Sequence, residues 1–242
     1  MATSFPVSIS TGTATVEFSD GTSFSFATEI PADAIEDSEQ NWHDYNVNRA
    51  VPTVLRESPS TIFSLGHVLS VIKFELEDVW MGLRDYPALE YMDDEKTFSS
   101  EFGNPVSTGD ETVVDLFGAV THIVDNDKRV LVNLTTPTHD LHNGYVIRHP
   151  YSDGSGRVFV QSIGFGTGAM ATLNELGANV TWGGNSLNTI SLMASEYYAI
   201  RTGKHSIYYP TDPEFSEIPI VPRGMGNPYK PANRLIGNAS AF

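Results

Sequence analysis

Three of the seven histidines stand close together, in the stretch Thr138-His139-Asp140-Leu141-His142 and at His149 just downstream. An imidazole changes charge near neutral pH, so it is the side chain best suited to take a proton and return it. Asp140, beside both His139 and His142, can fix a tautomer, and Arg148 carries a permanent positive charge. These types in this order point to an enzyme of hydrolase or lyase class on a small polar substrate. His139 or His142 would move the proton, Asp140 would orient it, and Arg148 would hold an anionic group. Two histidines three apart in a turn can also approach one metal. Zinc helices, however, space theirs four apart with a glutamate between, so no metal is assigned. The plain alternative is structural, with each imidazole bonded to main-chain carbonyls.

A second pattern is rich in glycine. Arg157–Ile163 reads as a strand, followed by Gly164-Phe165-Gly166-Thr167-Gly168-Ala169 and a helical run to Leu176. This resembles the dinucleotide-binding fingerprint, in which glycines let the backbone approach a pyrophosphate at a helix N-terminus. The resemblance implies that Gly164, Gly166 and Ala169 contact a dinucleotide. Three departures count against it. No acidic residue ends the next strand at Trp182, Gln161 and Ser162 interrupt the first strand, and only 60 residues remain downstream, proline-rich toward the end. A glycine bend explains the same letters. No cofactor can be named from the sequence.

Other patterns carry less. The serine elbow G-x-S-x-G is missing, and the acidic run Asp93-Asp94-Glu95 lacks the spacing of a calcium loop. Trp42, His43, Asp44, Tyr45 and Arg49 form a polar-aromatic cluster that suits either a ligand site or a lid on the core.

The elements that must hold these residues follow from periodicity. Thr13–Phe18 and Thr22–Ala27 flank Ser19-Asp20-Gly21, which predicts an N-terminal β-hairpin. Apolar residues at steps of three and four from Ile62 to Leu83 predict a central amphipathic helix over about 60–84, N-capped at Ser58. Thr112 to Ile163 alternates through four strands joined by short turns, which predicts an antiparallel meander. A further helix is expected over Leu187–Ile200, and a short one from Ala32. The fold class is α+β, the meander packing on the central helix. Residues 1–209 would form one domain. Residues 210–242, with six prolines, would form an extended arm able to dock on a second copy of the chain.

Composition sets the outer bounds. A formal charge of −16 repels nucleic-acid phosphates and anionic lipid, and no basic run offsets it. The absence of cysteine removes disulfides, thiolate metal sites and cysteine nucleophiles. No apolar run is long enough to span a bilayer, and the N-terminus lacks the basic and apolar regions of a secretory signal. The expectation is a soluble acidic protein, cytoplasmic when made, with export by a leaderless route left open. Its partner would be a small-molecule substrate or, in a non-enzymatic alternative, another protein or a second copy of itself.

Overall fold

Among the described residues, antiparallel ladders form three sheets, of three, six and two strands, and two helices accompany them. The computed structural model describes residues 5–32, 42–52, 54–58, 68–88, 105–114, 118–167 and 186–203.

The first sheet holds β1 (Val7–Ser10), β2 (Thr13–Glu17) and β3 (Ser23–Ala27) in sequence order. Its β2–β3 turn is the predicted one. Gly21 takes a φ of +89°, and the Asp20 carboxylate accepts the Thr22 amide at 2.9 Å. Ala14, Val16, Phe24 and Phe26 are buried while Ser23 and Ser25 stay exposed, so alternation gives one dry face as expected. The sequence shows a hairpin; β1 makes it three strands.

The central sheet has the order β4-β11-β10-β9-β8-β7. From β7 (Glu111–Val114) through β8 (Gly118–Asp125), β9 (Val130–Thr135) and β10 (Gly144–Ser152) to β11 (Val158–Gly166) it is the predicted antiparallel meander, with five strands in place of four because the first expected strand divides into β7 and β8. The addition is β4 (His43–Ala50), which pairs along the whole of β11. The polar-aromatic cluster therefore lies on a strand, whose alternation splits it. Trp42 stacks on Phe165 at 5.9 Å and donates to Asp44, whereas Tyr45 and Val47 pack together with Val146 in a separate cluster.

The helix predicted over about 60–84 requires correction. Val54–Ser58 (β5) and Val68–Ile72 (β6) form a two-stranded sheet, and the helix α1 covers only Leu76–Asp85. Val68, Val71 and Ile72 are β-branched and fit a ladder better than a helix, although their spacing satisfies both periods. The real start lies at Glu75, whose side chain accepts from the Asp78 amide while the Asp78 carboxylate accepts the Glu75 N–H, a reciprocal capping box. The second helix, α2 (Ser186–Thr202), matches the expectation to within two residues at either end. The helical stretch expected over residues 169–176, most of the one from Ala32, and the C-terminal arm lie outside the described residues.

Two cores result, one on each face of the central sheet. Ile147, Ile163, Phe165, Val130 and Val132 face the three-stranded sheet. Leu131, Val158 and Val160 face α1 and α2, against Trp80, Leu83 and Ile190. Each fully buried side chain of this size stabilises by roughly 1.5–3 kcal/mol. Asp78, buried under the helix pair, accepts from Arg201 of α2 at 3.0 and 2.7 Å, and Tyr197 donates to Asp85 at 2.7 Å, so polar contacts fix the same packing.

Gly164 is explained by this arrangement. It sits opposite Tyr45 on β4, and a Cβ built there would fall inside the Tyr45 ring. Gly164→Ala should therefore destabilise the protein by about 1–3 kcal/mol in urea denaturation. In a Tyr45→Ala background the same methyl group should cost much less; equal costs in both backgrounds would show that the ring does not set the requirement.

Candidate functional site

Of the four residues expected to act together, Arg148 alone lies on β10, and His139, Asp140 and His142 lie in the turn before it. Tyr145, Ile147 and His149 face the three-stranded sheet, and Arg148 faces the helices. Its guanidinium is fully buried, with Nη1 donating to the Tyr86 carbonyl at 3.4 Å at the end of α1. Burial lowers the pKa of Arg148, while the Tyr45 and Tyr86 phenols work in the opposite direction. Arg148 thus lies on the opposite face of the sheet from Tyr145.

That turn joins β9 to β10. The His139 amide donates to the Thr136 carbonyl at 2.9 Å and the His142 amide to the His139 carbonyl at 3.0 Å. His139 points inward and is buried; its Nδ1 accepts the Leu141 amide at 3.0 Å, and burial lowers its pKa. The backbone of β8 presses on it. Gly118, at φ +103°, has its place because a Cβ would meet the Thr138 oxygen and the His139 Cα. Asp140 is exposed. His142 behaves differently. Its Nδ1 lies 3.1 Å from the Thr135 carbonyl oxygen, which can only accept, so Nδ1 carries the proton. In the neutral ring Nε2 is left with a lone pair, and no described residue bonds to it. A main-chain carbonyl, rather than Asp140, orients this imidazole.

His142 lines an open cleft of about 480 Å³ between the end of β3 and the β8–β10 half of the central sheet. Neither His139, Asp140 nor Arg148 is among the lining residues. Tyr145 is, and its hydroxyl oxygen accepts from the Thr28 hydroxyl at 3.0 Å and from the Glu29 amide at 3.4 Å. Thr28 in turn accepts the Ile30 amide at 3.1 Å. With its oxygen occupied as an acceptor, the phenol keeps its own proton to donate. These two residues thus give the cleft an acceptor nitrogen and a donor hydroxyl. The sequence reading missed Tyr145; the only signal is its parity with Ile147 and its place directly after the histidine turn.

Two further described histidines, His149 and His122, are held by structural contacts. His149 bridges the two sheets, with Nδ1 3.2 Å from the Arg129 carbonyl and Nε2 3.0 Å from Asp20 Oδ2, its ring packed on Phe18. Partial burial opposes the charge on Asp20, but hydrogen bonds from His149 and Thr22 outweigh it and hold the carboxyl below its ordinary pKa. His122 is buried on the helix side, bonded to the Thr112 hydroxyl at 2.8 Å and the Asn133 amide oxygen at 2.9 Å.

Among the described residues no three His, Asp or Glu side chains converge to hold a metal. Gly164 lies inside β11 and Gly166 ends it, both paired with β10 on one side and β4 on the other. Ala169 lies outside the described residues. No described helix is long and apolar enough to cross a membrane.

No protein-family model matches the chain, and no curated protein matches it. Among solved structures, the crystal structure of CalU16 from Micromonospora echinospora is similar over 65% of this chain and 89% of its own, at 12% identity and a TM-score of 0.36. A solution structure of a protein from Thermobifida fusca is similar over 64% of this chain and 94% of its own, at 14% identity and a TM-score of 0.34. At such scores neither neighbour informs the function of this chain.

The buried imidazoles make stability depend on pH. Burial lowers the pKa of His122 from 6.5, as it does that of His139, so the unfolded chain binds protons that the folded chain refuses. Their contribution is complete above about pH 6.5 and is lost as the pH falls below it. The free energy of unfolding should therefore fall from about pH 7 to about pH 5, and His122→Gln should make that slope shallower. An unchanged slope in the variant would assign the acid sensitivity to other groups.

Proposed function

We propose that the protein is an enzyme of hydrolase or lyase type acting on a small polar substrate in the cleft between the two sheets. His142 is its acid–base group. The observation that carries this is the geometry of that ring: Nδ1 is pinned to the Thr135 carbonyl, which leaves Nε2 as the basic atom at the cleft. Tyr145 supplies the complementary group. As Nε2 takes a proton from the substrate or from water, negative charge builds on a substrate oxygen, and the phenolic proton can bond to it. The Thr28 hydroxyl and Glu29 amide, donating to the same phenol, strengthen it as a donor.

This reading keeps the chemistry expected from the sequence and narrows its residues. The roles first given to His139, Asp140 and Arg148 pass to His142 with Tyr145. The separation of faces described above supports that change.

Purified protein screened against small esters and lactones should show turnover. His142→Ala should then lower kcat by roughly 10²- to 10⁴-fold while Tm stays nearly constant. Tyr145→Phe should reduce kcat by about 10²-fold with a smaller effect on KM. Equal turnover by the parent and His142→Ala proteins would overturn the assignment.

A further inference from the structure

The cleft contains more hydrogen-bonding groups than the fold uses. The Glu29 carboxylate, the Asn143 amide, the Thr121 hydroxyl, His142 Nε2 and the Tyr145 proton have no hydrogen bond to another described residue, and all five residues line the cleft. Thr121 lies opposite Leu134, and Leu134 opposite Tyr145, so register places these three on one face of the sheet. Glu29 lies at the end of β3, across from them.

Charge narrows the choice. Among the described lining residues Glu29 is the sole permanently charged group, and none is Lys or Arg. The chain as a whole carries −16. An anionic ligand would meet a carboxylate with no cation to offset it, whereas an ammonium group would pair with it. The remaining groups mix donors and acceptors beside the apolar surfaces of Leu134, Pro137 and the Tyr145 ring. Such a lining fits a small ligand bearing several hydroxyls around a compact carbon frame.

We infer that the cleft selects neutral or cationic polyhydroxylated molecules, of the amino-sugar class, and that Glu29 is the specificity-determining residue that excludes anions. This rests on the same cleft as the acid–base reading and reverses the expectation that a cation would hold an anionic substrate.

Glucosamine, glucose and glucuronate share one ring and differ in charge, so they isolate the effect. Each is titrated into the full chain at about pH 6, where the amine is charged, and followed by the NMR shifts of the His142 and Tyr145 rings. Glucosamine should bind tightest and glucuronate weakest, with roughly tenfold or more between them. Glu29→Gln should bring the three dissociation constants close together. Glucuronate binding as well as glucosamine, an order that survives Glu29→Gln, or no shift of either ring with any of the three would each overturn the inference. Binding is read without turnover. An inert protein that keeps this order therefore overturns the enzyme reading alone, and an active one that prefers glucuronate overturns this inference alone.

Discussion

A sheet buried on both faces cannot place its residues freely. Each step along a strand of the central sheet moves the side chain from the aromatic core under the N-terminal strands to the aliphatic core under α1 and α2. Most of the structure follows from this rule. It sends Tyr145 and His149 one way and Arg148 the other, one bond-length pattern deciding what three neighbouring polar residues can meet. It also makes buried polar groups on the helix side find partners inside. His122 does so through Thr112 and Asn133, and Asn133 passes the chain on to the Pro87 carbonyl at the end of α1.

The helix side is held by charge as well as by packing. Asp78 serves two elements at once, closing the cap of its own helix and receiving both arms of the Arg201 fork. A carboxylate buried this deeply depends on that pairing, because leaving it alone would cost far more than the bond contributes. Close approach of the helices needs Gly82 as well, where a methyl group would collide with the backbone of Ile190 and Ala194. The two helices are therefore matched by charge and by shape.

How far the sequence disclosed all this depended on period. The meander and the first hairpin were legible because strict alternation and an Asp-Gly turn leave little choice. The helix over 60–84 was half misread because β-branched apolar residues at mixed spacing satisfy both periods, and only tertiary pairing of Val54–Ser58 with Val68–Ile72 decides between them. At the site, proximity along the chain suggested a histidine–aspartate–arginine group, yet sheet parity turned Arg148 to the helices and the turn buried His139 while exposing Asp140. Of those four residues, His142 alone reached the cleft. Its companions Tyr145 and Glu29 come from β10 and the end of β3, a separation of 116 positions that no local pattern can bridge. The glycine spacing was ambiguous for a related reason: the demand on Gly164 comes from a ring on another strand.

The three-stranded sheet touches the rest through its apolar face and a few polar ties, among them Ser19 to Gln161, Lys128 to the Ser23 carbonyl, and Thr28 to Tyr145. The last of these ties is also the wall of the cleft. Anything that seats between Glu29 and His142 therefore rivets the amino-terminal strands to the meander. Occupancy of the hollow and docking of that small sheet become a single equilibrium, and a slackened seam would weaken retention as surely as the loss of a contacting side chain.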